Sequence, residues 1–110
     1  MNQKDIYWAN LNPSKGKEQR GKRPVVIVSG KTMVRNFDVL IVCPISSKIK
    51  NYIGCVSLKP SKLNGLKHNS EIITFQIRTV SKDRLTKKIG TITDDELKSI
   101  FQGLNDILTY

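Results

Sequence analysis

Asn12-Pro13-Ser14-Lys15-Gly16-Lys17-Glu18-Gln19-Arg20-Gly21-Lys22-Arg23-Pro24-Val25-Val26-Ile27-Val28-Ser29-Gly30 joins the most cationic loop of the chain to one of its most apolar segments. From Asn12 to Arg23 it carries two glycines, five cations and one carboxylate, a composition that cannot bury itself and predicts a solvent-facing loop. Val25 to Val28 is β-branched and wholly apolar, which predicts a buried strand. Lys22-Arg23-Pro24 is the junction. Pro24 limits both its own φ and the conformations open to Arg23, so the guanidinium is held at the mouth of the strand.

On the N-terminal side, Asp5 to Leu11 reads as a first strand closed by the turn signal Asn12-Pro13. On the C-terminal side, Ser29-Gly30 ends the second strand, and Asn36-Phe37-Asp38 is a turn before the apolar run Val39 to Ile45. Two neighbouring strands that are apolar throughout predict the centre of a small sheet closed on itself. A polar, basic connection, Ser46 to Asn51, leads to a strand over Tyr52 to Leu58, and a long loop, Pro60 to Asn69, follows. Ser70 to Phe75 reads as a strand, with Gln76 to Val80 a separate strand or a bent continuation. Short strands divided by Gly, Pro and Asn turns predict an all-β barrel. The end changes character: Thr93-Asp94-Asp95-Glu96 has capping-box spacing, and Leu97, Ile100, Phe101, Leu104, Ile107 and Leu108 recur at helical spacing. An amphipathic helix from Asp94 to about Leu108 is expected to pack on the barrel, all within a single domain over residues 1–110.

The formal net charge is +10 over 110 residues, unevenly placed. Residues 1–90 hold eighteen Lys and Arg against five Asp and Glu, whereas residues 91–110 hold one against four. A basic body of this density attracts polyanions, of which nucleic acid is the commonest in the cytosol. No apolar run approaches the roughly 18–20 residues needed to span a bilayer, and the N-terminus enters strand-like sequence without an apolar leader, so a cytoplasmic protein without membrane contact is expected. Cys43 and Cys55 have no metal-like or redox-like partner at short spacing, and His68 stands alone in a polar segment, so no metal site or cofactor is expected.

The sequence lacks a glycine-rich phosphate loop, paired carboxylates in one motif, a Ser-His-Asp order and a Cys/His metal set. With one histidine, a two-histidine ribonuclease mechanism is excluded. Charge stabilisation in any reaction on an anion must then come from Arg or Lys aided by hydroxyls. Arg23, just before Pro24, and Ser46, just after Pro44-Ile45, each border an apolar strand, and adjacent antiparallel strands would bring them to one rim. There the arginine fork could clamp a phosphodiester while the serine donates to a non-bridging oxygen.

These residues resemble the MazF/PemK family of toxin endoribonucleases from bacterial toxin–antitoxin systems, nearly end to end. Asp5 to Pro13 is similar to the family's opening strand, and Gly16 to Val28 to its G-x-E-Q-x-G-x-R-P signature and core strand. Val42 to Ser47 is similar to its strand ending in Thr or Ser, and Gln76 to Leu85 to its Q-I/V-R-T/S segment. The resemblance implies a mainly β, SH3-like small barrel with a C-terminal α-helix, a homodimer that cuts single-stranded RNA at short sequences without metal. The ribose 2′-hydroxyl attacks the adjacent phosphate, giving 2′,3′-cyclic phosphate and 5′-hydroxyl ends. By the same matching Arg23 and Ser46 are the catalytic pair, and Glu18, Gln19, Gln76 and Arg78 shape the RNA site or the dimer around it. Many members carry Thr where Ser46 stands, and Ser47 follows at once, so either hydroxyl could face the phosphate. Lys48 in the basic connection joins the RNA-binding set. Base choice is assigned to the 12–22, 46–52 and 59–69 loops. An antitoxin with an acidic tail is the implied protein partner, complementary in charge to the basic groove. Two alternatives use the same fold: a CcdB-like toxin that binds gyrase and cuts nothing, and a non-catalytic nucleic-acid-binding barrel.

Overall fold

The computed structural model describes the whole chain except Pro13, Ser14, Lys15, Lys17, Gln19 and Arg20. Seven strands and two α-helices are present among the described residues: β1 (Asp5–Asn10), β2 (Lys22–Ile27), α1 (Lys31–Asn36), β3 (Val39–Ser46), β4 (Val56–Leu58), β5 (Ser70–Ile72), β6 (Arg78–Ser81), β7 (Leu85–Thr91) and α2 (Asp94–Thr109). All pairings are antiparallel, in the order β4-β5-β3-β2-β1-β7. β3 is the organising strand. One edge pairs with β2, and the other divides between β6 along Val39–Val42 and β5 at Ile45 and Ser46.

The side-chain period of two explains why β2 and β3 are apolar throughout: both of their faces are covered. Ile6, Val26, Cys43, Ile45 and Ile72 face one core, which receives Ile100 from α2. Ala9, Val25, Ile27, Leu40 and Val42 face a second core, which receives Val34 from α1 and Leu85 from β7. The mainly β architecture with a C-terminal helix is therefore the one expected, but strand pairing does not close the sheet among the described residues. β4 and β7 are the free ends of the path, and the long loop spans the gap, with the Thr91 N–H donating to the Leu63 carbonyl at 2.9 Å.

Two expected strands are shorter than their apolar runs. Gly54, at φ +85°, turns the chain, so β4 begins only at Val56. After Ile72 the chain leaves the sheet in a 3-10 turn, Thr74–Gln76, because buried Thr74 donates through Oγ1 to the Gly54 carbonyl at 2.8 Å. Gln76 to Val80 is accordingly a separate strand, β6, beginning at Arg78. The terminal helix begins at the expected capping box: the Glu96 N–H donates to Thr93 Oγ1 (3.1 Å), and the Thr93 N–H donates to Glu96 Oε1 (2.8 Å).

α2 lies hard against the Gly54 turn. A Cβ built on Gly103 would stand 2.1 Å from the Gly54 carbonyl oxygen, a backbone atom with no side-chain torsion to relieve the clash. Gly103→Ala is therefore expected to push helix and turn apart and to cost about 1–3 kcal/mol. Thermal denaturation checks this as a fall in Tm on the order of 10 °C.

Candidate active site

The register places the two expected catalytic side chains side by side. Val25 pairs with Pro44 at the end of the β2–β3 ladder, and the side-chain period of two turns Arg23 with Val25 and Ser46 with Pro44 to one face just beyond that end. Ser46 in turn pairs with Glu71 of β5. Directly opposed residues of antiparallel strands project to the same face, so Arg23, Ser46 and Glu71 form one row across three strands. The row looks into a groove of about 580 Å³, also lined by Glu18, Lys48, Lys50, Tyr52, Phe75 and Gln76.

Each member is held by its surroundings. Pro24 and the β1 partner Ala9 fix the backbone of Arg23, a half-buried residue. Ser46 is buried at 4% exposure, and its Oγ accepts the Lys48 N–H at 3.1 Å. That bond uses a lone pair and leaves the hydroxyl proton to donate. Glu71 is 3% exposed, with Oε1 accepting the Lys50 N–H (3.0 Å) and Oε2 the Asn51 N–H (3.3 Å). Tyr52 and Phe75, both exposed, meet at a centroid distance of 5.8 Å and an interplanar angle of 57° on the groove wall. The base of the adjoining cationic loop is pinned: the Gly21 N–H donates to Asn12 Oδ1 (3.1 Å), and Arg84 donates to the Asn12 carbonyl.

Of the residues expected at the site, Arg23, Ser46, Glu18, Lys48 and Gln76 line this groove. Ser47 does not; it lines a second cleft that Arg23 also lines, so Ser46 is the hydroxyl that shares this groove with Arg23, Glu71 and Lys48, and Ser47 meets Arg23 from the other side. Arg78 is not among the lining residues. It pairs with Val42 in β6, and its Nη1 is buried without a hydrogen-bond partner among the described residues. Gln19 lies outside the described residues. Glu71 and Phe75 are additions that sequence reasoning missed, and Lys50 and Tyr52 were covered there only as part of the 46–52 loop. Glu71 left one signal, a lone carboxylate in the short strand Ser70–Ile72.

Among the described residues no three His, Cys, Asp or Glu side chains come together as a metal-binding group, and no helix is long and apolar enough to cross a membrane. Burial pushes the Cys43 thiol up to about 12, with neighbouring Cys55 adding to the rise. Cys55 is also raised, first by burial and then by the Glu71 carboxylate, against a lowering hydrogen bond at the Thr74 backbone. Thiolate being the reactive form, Cys43 is expected to resist a thiol reagent at pH 8 in the native protein and to react in denaturant. The same shift sets a sign for stability. The Cys43 contribution is present below the unfolded pKa, because the fold favours the protonated thiol, and it is lost as pH rises from about 9.0 towards 12.

The family model described as PemK-like, MazF-like toxin of type II toxin–antitoxin system matches residues 2–108. The chain belongs to that family. Endoribonuclease MazF of Staphylococcus saprophyticus is 37% identical to it over 107 residues, which is 96% of this chain and 88% of that protein. Among solved structures, MazF from Deinococcus radiodurans superposes with a TM-score of 0.84 at 23% identity, covering 100% of this chain and 97% of that one. An endoribonuclease in complex with its cognate antitoxin from a mycobacterial species superposes with a TM-score of 0.81 at 20% identity, covering 98% and 94%. At those identities the solved structures show the fold of this MazF-like chain; the groove rests on its own side chains.

Proposed function

We propose that this chain is a cytoplasmic endoribonuclease toxin that cuts single-stranded RNA by attack of a ribose 2′-hydroxyl on the adjacent phosphate, leaving a 2′,3′-cyclic phosphate and a 5′-hydroxyl. The observation that carries this reading is the Arg23–Ser46 pair at the foot of a cationic groove. A scissile phosphate between them would receive the guanidinium fork on its non-bridging oxygens, and Ser46 Oγ would donate to the oxygen gaining charge. The 2′-hydroxyl proton passes to water as the P–O2′ bond forms, and as the P–O5′ bond breaks Arg23 stabilises the departing oxygen as a cation while water supplies its proton. A guanidinium group holds its proton too firmly to serve readily as a base. No step in this scheme calls for a metal ion.

Lys48 and Lys50 supply the phosphate-binding charge, Tyr52 and Phe75 offer faces for unpaired bases, and Glu18 and Gln76 offer hydrogen bonds to base edges. An acidic antitoxin segment laid on the same cations would exclude RNA, and the homodimer implied by the family resemblance belongs to the same reading. Incubation of a long unstructured RNA with the purified protein in EDTA tests it. Cuts at one short sequence with cyclic-phosphate and 5′-hydroxyl ends are expected. A folded protein that leaves the RNA intact would overturn the reading in favour of a gyrase-binding or purely nucleic-acid-binding toxin, and cutting lost to EDTA would overturn the metal-free chemistry.

A further inference from the structure

A second cleft, of about 590 Å³, opens on the opposite face of the same strand ends. Trp8 of β1 pairs with Pro24 of β2, and Ile45, one residue past the end of the β2–β3 ladder, lines the cleft with them. This row is offset by one residue from the Arg23–Ser46–Glu71 row and therefore projects to the other side of the sheet. The cleft joins that apolar floor to cations from three elements, Lys22, Lys67 and Lys87 among them. Its tryptophan is the only one in the chain and is 42% exposed.

The far wall is fixed before any ligand arrives. Gly65 and Gly90 let the 59–69 loop close directly on the β7 backbone, where a Cβ on either glycine would meet a carbonyl oxygen at 2.3–2.5 Å. Buried Asn64 binds the loop to itself, donating through Nδ2 to the Lys59 carbonyl (2.8 Å) and accepting through Oδ1 from the N–H groups of Ser61 and Leu66 (both 3.0 Å). Arg23 lines this cleft as well as the active-site groove, so the two meet at the guanidinium.

We propose that the second cleft is a subsite for the single strand flanking the scissile phosphate. The RNA crosses the sheet edge at Arg23, a base on this side stacks on Trp8, and Lys67 and Lys87 take the phosphates beside it. An aromatic platform in a cationic groove is the arrangement that binds single strands with little regard to sequence. The proposal rests on the endoribonuclease reading above, and its test separates the two.

The emission of Trp8 reports the cleft without a label. Titration with a long mixed-sequence single-stranded DNA, which lacks the attacking 2′-hydroxyl, is expected to quench it saturably at low salt and progressively less as salt rises. Trp8→Ala, and separately the pair Lys67→Ala with Lys87→Ala, are expected to raise KM for a long RNA by about tenfold with kcat nearly unchanged. Phe37→Ala, an exposed aromatic lining neither cleft, should do neither. Unchanged emission while the same DNA competes with RNA cleavage would overturn the proposal, as would parental KM values in both variants. Emission that responds only to an acidic antitoxin segment would overturn it too and assign the cleft to a protein partner. Quenching by DNA in a protein that cuts no RNA would support the subsite while overturning the nuclease reading.

Discussion

Arg23→Ala is expected to lower the rate of RNA cleavage by about 100- to 1000-fold while leaving the fold intact, the scale typical of losing one preorganised electrostatic donor. The fold should tolerate the change because Arg23 stands at the edge of the strand ladder, half-buried, with the packed residues of β2 beginning at Val25. The loss should fall on kcat more than on KM, since in the proposed mechanism the guanidinium would meet the most charge in the transition state, while Lys48 and Lys50, which line the same groove, would still hold ground-state phosphates. Arg23→Lys should recover only a fraction, because an ammonium is a point charge without the planar fork. Single-turnover cleavage of one mapped site, with Tm measured alongside, checks both. A lysine variant that cuts as fast as the parent would remove the planar clamp from the mechanism.

That Arg23 and Ser46 share one groove could be read from the sequence because the chain sets each beside a rigid, apolar segment. Arg23-Pro24-Val25 and Pro44-Ile45-Ser46 each attach a polar side chain to the end of an apolar strand run, and strands consecutive in the chain tend to be neighbours. The capping box before α2 was equally legible, since its reciprocal bonds depend on local spacing alone. What could not be read depends on long-range packing. α1 is six residues with one buried side chain, and no side chain caps it at Gly30. β7 carries three consecutive exposed residues, Thr86 to Lys88, and meets β1 through two register shifts, so it shows no clean alternation. Its strand conformation comes from β1 and not from its own pattern. Barrel closure was over-read for a related reason. Apolar continuity in β2 and β3 reports that both faces are covered, but the covers are α1, α2 and the long loop, which do not join the ladder.

The groove walls were hidden in the same way. Tyr52 and Phe75 come from separate stretches of chain and meet only because Thr74 donates to the Gly54 carbonyl and Gly103 lets α2 close on that turn. A helix far from Arg23 in sequence thus supports the aromatic wall of its groove. The acidic balance of residues 91–110 is compatible with this placement: Asp94, Asp95 and Glu96 occupy the first turn of α2, where the helix dipole favours them, and Lys4 pairs with Asp94 at 2.7 Å. Three of the four carboxylates of this tail are therefore committed to the first turn of a helix, where their charge is met by the helix dipole and by Lys4.

Glu71→Ala is expected to lower kcat by about 10- to 100-fold, although the carboxylate neither takes nor gives a proton in the proposed cleavage. Both of its oxygens are committed to backbone N–H groups of the 46–52 connection, and Asn51 sits at φ +54°, a left-handed conformation that a non-glycine residue keeps only with support. The same connection contains the Ser46–Lys48 turn and ends at the aromatic wall, so Glu71 fixes Ser46, Lys48, Lys50 and Tyr52 together. Hydrogen bonds to a charged group contribute about 1.5–3 kcal/mol each when buried. Lys50 and Asn51 are exposed, and water can replace much of that, so Tm should fall by only a few degrees. The catalytic loss is the larger effect because a displacement of about 1 Å at a reacting centre can cost on the order of 100-fold. Glu71→Gln keeps one acceptor oxygen and should fall between parent and alanine variant, with the pH dependence of kcat unchanged in shape. That last readout separates a positioning carboxylate from a general base: an acid limb present in the parent and absent in Glu71→Gln would reassign Glu71 to proton transfer from the 2′-hydroxyl.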